Sequence, residues 1–103
     1  MLKPANITQA ITLPDGVEIP NLDCMTMDPD ELEAWGTTLQ ADITTLFPHP
    51  TVGQRNLAMS LVQYAHTRAA AMRARMEGRI SVALRLEGDC EAIYLWLPQN
   101  AKW

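Results

Sequence analysis

AMSLVQYAHTRAAAMRARMEGRISVALRLEGDCEAIYLWL, residues 58–97, is the stretch that decides the fold. Ala58, Val62, Ala65, Ala69, Met72 and Met76 recur at alternating steps of four and three. After Gly78 the pattern resumes with Ala83, Leu86, Cys90, Ile93 and Leu97. Such spacing lays an apolar seam along one side of a helix. Two seams separated by a glycine predict two long helices folded back on each other, over residues 51–77 and 79–97. Ile80, Val82, Leu84 and Leu86 also alternate with period two, and Glu87-Gly88-Asp89 can turn a chain. A β-hairpin over 80–97 is therefore the competing reading. The heptad steps and the Leu97-Pro98 stop favour the helix.

Upstream, residues 28–47 predict a shorter helix with a well-marked start. Asp28 is placed to cap it, accepting orphan backbone N–H groups of the first turn. Pro29 suits the first helical position, and Asp30 and Glu31 complement the positive end of the helix dipole. Met27 and Leu32 stand at hydrophobic-staple spacing. Leu32, Trp35, Leu39, Ile43 and Leu46 form the apolar stripe, and Pro48 and Pro50 end the helix. Gly36 inside it is expected to weaken it by about 1 kcal/mol relative to alanine. Thr51 and Gln54 form a capping box for the next helix. That helix is about 40 Å long, against a radius of gyration of about 13 Å for a domain this size. It is expected to overhang the domain and, with its alanine-rich seam, to favour a homodimer.

Residues 1–27 carry Pro4, Pro14, Asp15-Gly16 and Pro20, so they read as an irregular arm or a short β-hairpin. The fold expected is mainly α: one 103-residue domain with a short first helix packed on a long antiparallel helical hairpin, preceded by that arm.

Charge is divided unevenly behind a net of −4. The first fifty residues hold eight acidic side chains against Lys3, whereas all six arginines lie in the hairpin. Packing of the acidic half over the basic half accounts for this. An arginine face for an anionic partner is the sharper alternative, but overall acidity and the scatter of the arginines around the helix oppose nucleic acid. No apolar run reaches the ~18 residues of a membrane span, and the N-terminus has no apolar signal core. Cys24 and Cys90 form no CxxC pair, and Cys90 on the seam reads as a buried reduced thiol.

No residue pattern carries catalysis, so no enzyme, cofactor or metal is expected. His49 and His66 have no second ligand at metal spacing and read as surface histidines. Glu87 and Glu91, one turn apart, read as a solvated rim with Arg79 or Arg85 as partners. Ser60 and Ser81 lack a nucleophile-elbow context. Interaction has more in its favour. Tyr64, Arg68, Ala71 and Arg75 form a stripe beside the seam, Trp96 faces away from the seam of the last helix, and Trp103 ends the sequence. Aromatics and arginines anchor interfaces, so Tyr64, Arg68, Arg75, Trp96 and Trp103 are the candidate interaction surface. Burial of Trp96 and Trp103 beneath the N-terminal arm is the alternative.

Two resemblances bear on these readings. Gly78-Arg79-Ile80, Ala83-Leu84 and Cys90 resemble the turn and second helix of a tetratricopeptide repeat, although Glu87 stands where the repeat usually has an aromatic. One unit makes no solenoid, so this implies only a helix-pair geometry. Ile19-Pro20-Asn21-Leu22-Asp23, Tyr64-Ala65, Ala70-Ala71-Met72-Arg73, Gly78-Arg79-Ile80, Ala83-Leu84, Ile93-Tyr94, Leu97-Pro98 and Trp103 resemble a family of small uncharacterised proteins encoded by tailed bacteriophages. The resemblance covers roughly residues 19–103. The closing Gln99-Asn100-Ala101-Lys102-Trp103 departs from the family's ending at three places, and most members lack the Gly88-Asp89 pair. It implies a phage origin, a setting in the host cytoplasm and no particular activity. The function expected is a small interaction module that binds itself and a host or phage protein. The alternatives are a nucleic-acid-binding accessory protein using the hairpin arginines, or a virion structural component.

Overall fold

Asp28 caps the first helix through a reciprocal pair of bonds. The Glu31 backbone N–H donates to Asp28 Oδ1 (2.8 Å), and the Asp28 N–H donates to Glu31 Oε1 (3.2 Å). This capping box starts α1, Pro29–Leu46, in a computed structural model that describes residues 10–12, 18–20, 27–46 and 52–97. Glu31 thus does more than complement the dipole. Met27 and Leu32 are both buried in the core, as a staple requires. Asp28→Ala should lower unfolding free energy by about 1 kcal/mol, whereas Asp28→Asn, which keeps an acceptor oxygen, should hold most of it. Urea denaturation of the two variants checks this; equal losses would place the helix start elsewhere.

The second helix, α2, is Val52–Met76, and the third, α3, is Ile80–Leu95. Gly78 joins them with φ +79°. The Arg79 N–H donates to the Ala74 carbonyl (2.9 Å) and the Gly78 N–H to the Arg75 carbonyl (3.1 Å). Together these make a Schellman turn, in which only a residue without Cβ sits at ease. The β-hairpin reading of 80–97 is therefore overturned: the segment is helical. Its period-two alternation does not match burial, because Ala83, Cys90 and Leu97 are covered while Ile80 and Leu84 face solvent. Two three-residue strands, β1 (Ala10–Thr12) and β2 (Glu18–Pro20), pair antiparallel with Ile11 opposite Ile19. The expected turn at Pro14-Asp15-Gly16, the Thr51 cap, Cys24, His49, the proline stops and Trp103 lie outside the described residues.

Both α1 and α3 pack on α2. Met27, Leu32, Trp35 and Leu39 join Leu57, Ala58, Leu61, Val62, Tyr64, Ala65 and Ala69, with Cys90 and Leu97 from the third helix and its end, in one buried cluster. Thus α2 is apolar on two flanks rather than along one seam. The alanine flank (Ala58, Ala65, Ala69) is fully covered. Its length needs no partner either: a 25-residue helix of about 38 Å fits within a 44 Å long axis. That removes the overhang argument for a dimer. Met76, expected on the seam, is exposed. The first helix starts beside Arg73, and among the described residues nothing covers Met76, three residues further on.

At Gly36 α1 lies close against α2. A Cβ built there would lie 2.8 Å from two His66 ring atoms and 3.4 Å from Ala65 Cβ. His66 is therefore half-buried against α1, with Nε2 at 3.4 Å from Thr37 Oγ1, and not a free surface histidine. The helix-weakening glycine is the opening into which the ring fits. The propensity gain of about 1 kcal/mol expected for Gly36→Ala should appear only when His66 is also alanine. In the parent background the ring must move, and the gain should vanish or reverse. A double-mutant cycle by thermal or urea unfolding measures the coupling; equal effects of Gly36→Ala in both backgrounds would contradict the contact.

Candidate interaction surface

Ion pairs link both outer helices to α2. Arg73 near the end of α2 reaches both Asp30 and Glu33 at the start of α1. The acidic half therefore does lie against the basic half at this point. Arg75 grips Glu87 of α3 with two bonds, Nε to Oε2 (2.8 Å) and Nη2 to Oε1 (2.7 Å). The carboxylate holds Arg75 above its ordinary value, and the guanidinium holds Glu87 below the usual carboxylate range. Arg79 pairs with Glu77. The expectation that Arg79 or Arg85 would serve Glu87 is thus corrected. Arg75 lies on the α2 flank that meets α3, and the helix crossing brings its planar fork face to face with the acid.

The Tyr64, Arg68, Ala71, Arg75 stripe exists, but it is the flank of α2 that packs on α3. Tyr64 and Ala71 are buried. Tyr64, one position from the seam, is covered because α2 serves two neighbours, which no spacing in the sequence shows. Tyr64, Arg68, Glu87, Cys90, Glu91 and Tyr94 line an open groove of about 280 Å³ between the two helices. Arg68 Nε is buried there with no hydrogen-bond partner among the described residues. Leaving such a donor unmet costs about 1–3 kcal/mol.

Cys90 is a free, buried thiol in this groove. Burial pushes it up from an ordinary 9.0 to about 11; Arg68 pulls it down, and Asp89 and Glu87 push it further up. The native state therefore favours the neutral thiol, and this group's contribution to stability is present below pH 9 and lost as pH rises toward 11. Alkylation of Cys90 in a Cys24→Ser chain should be slow at neutral pH and accelerate across that window. Rapid neutral-pH labelling at the rate of a free thiol would contradict the burial.

Trp96 lies at the end of α3, its backbone N–H donating to the Ile93 carbonyl (3.2 Å), and the residue is 88% exposed. It does not pack beneath an arm. Gly53, Asn56, Leu57, Ser60, Trp96 and Leu97 line a second, smaller depression of about 140 Å³. Val52 and Leu95 are exposed at the same end of the hairpin. The candidate residues therefore fall into two places: Tyr64, Arg68 and Arg75 on the groove flank, and Trp96 at the hairpin's open end. Val52 and Leu95 also belong to these surfaces and carry no signal in the sequence, since neither departs from a helical apolar pattern; Glu91, expected on a solvated rim, lines the groove.

Among the described residues, no three His, Cys, Asp or Glu side chains are grouped so as to hold a metal ion, and no helix is long and apolar enough to cross a membrane. Comparison with protein-family models, curated proteins and solved structures found no match to this chain.

Proposed function

We propose that this chain is a small helical protein-interaction module, phage-encoded and acting in the host cytoplasm, that binds itself and a host or phage protein. The observation that carries the reading is Trp96. A tryptophan 88% exposed, with Val52 and Leu95 also exposed at that end and a shallow depression beside it, matches the residue type that dominates binding hot spots. Occupation of Arg73, Arg75 and Arg79 by carboxylates supports a protein partner over a nucleic acid. In this reading the N-terminal arm, with β1 and β2 paired, is a β-hairpin attached to the helical body.

The test compares tagged wild-type and Trp96→Ala chains recovered from phage-infected cells. A protein enriched with the wild type and lost with Trp96→Ala is the expected result. Identical sets of captured proteins would contradict the reading.

A further inference from the structure

We infer that the outward face of α3, together with the Arg68 groove, is an isologous contact with a second copy of this chain. The inference rests on the interaction reading and names one partner and one face for it.

Arg68 and Glu91 line the same groove, carry opposite charges and are engaged in no ion pair among the described residues, whereas Arg73, Arg75, Arg79 and Glu87 all are. Beside them, Leu84, Gly88, Glu91 and Leu95 follow one another at steps of four, three and four, a single outward stripe of α3. Leu84 is 58% and Leu95 65% exposed. At Gly88 an added Cβ would meet nothing within 4 Å.

The spacing of Leu84, Gly88, Glu91 and Leu95 is symmetric about a point between Asp89 and Cys90, with a leucine at each end. Two antiparallel copies of α3 related by a two-fold axis at that point place Leu84 against Leu95 of the second copy. Gly88 then faces Glu91 of the second copy. The missing Cβ opens a path for that carboxylate across α3 toward Arg68, and the same contact is made in reverse. A two-fold interface must be self-complementary, and the groove offers for that purpose both a cation, Arg68, and an anion, Glu91, neither of them ion-paired among the described residues. A purely acidic or purely basic partner would leave one of them unmatched.

Charge reversal with mixing tests the contact on the full chain. Wild type should show twice the chain mass by light scattering or sedimentation. Arg68→Glu alone and Glu91→Arg alone should each be monomeric, with helicity by circular dichroism unchanged. Mixed in equal amounts they should restore the doubled mass, because both cross-copy pairs are then attractive. Rescue by mixing cannot arise within one chain. If Arg68→Glu fails to fold, Leu84→Lys, at an exposed position, is the second variant and should also be monomeric. A wild type monomeric up to millimolar concentration, single variants that dimerise like wild type, or a mixture that stays monomeric would each overturn the inference. A monomer that still captures a protein through Trp96 would leave the interaction reading standing.

Discussion

Trp35→Ala should lower unfolding free energy by about 3–5 kcal/mol, enough to leave much of a chain this size unfolded at 25 °C. Among the described residues Trp35 is the largest fully buried side chain, and it belongs to the core cluster that α1 and α2 share. Folded domains are stable by only about 5–15 kcal/mol in total, so the loss is a large share. Its indole N–H has no acceptor among the described residues. Trp35→Phe keeps an aromatic ring and removes that unmet donor, so it should cost clearly less than alanine. Urea denaturation followed by circular dichroism separates the two. Equal losses would show that ring volume does not hold α1 in place.

Ala65→Leu should cost about 1–3 kcal/mol by overpacking. Ala65 is fully buried where α1 crosses α2, within ordinary contact distance of a Cβ at Gly36. A leucine there has no room unless the helices separate, which would also expose Trp35 and Leu39. Tryptophan emission should shift to the red as the crossing opens. Ala70→Leu, on the exposed face of the same helix, is the control and should change stability little. Similar behaviour of the two variants would mean that α1 does not lie on the alanine flank.

The helices were legible because their signals are local. Asp28-Pro29 and Gly78 mark a start and a turn by backbone chemistry, and the four-three spacing marks the seams. What was not legible depends on which helix meets which. The sequence shows Gly36 as a weak point, because its partner His66 is thirty residues away. It shows Tyr64 as a side-facing aromatic, because a helix wedged between two others buries residues beyond one stripe. The Arg73 bridge to Asp30 and Glu33, and the Arg75 fork on Glu87, likewise depend on crossings that no short window contains. At the candidate surface, Trp96 stands where its helical position implied, whereas the open groove beside Arg68 emerges only once α2 and α3 are side by side.

The central claim is that α2 is used on two flanks, the alanine side by α1 and the Tyr64 side by α3. Proton NMR tests it most directly through two sets of nuclear Overhauser contacts in one sample. The account predicts cross-peaks from the Gly36 α-protons to the His66 ring, and others linking the Tyr64 ring with Cys90 or Tyr94. Cross-peaks on the α3 side alone, with the His66 ring free of α1, would contradict it.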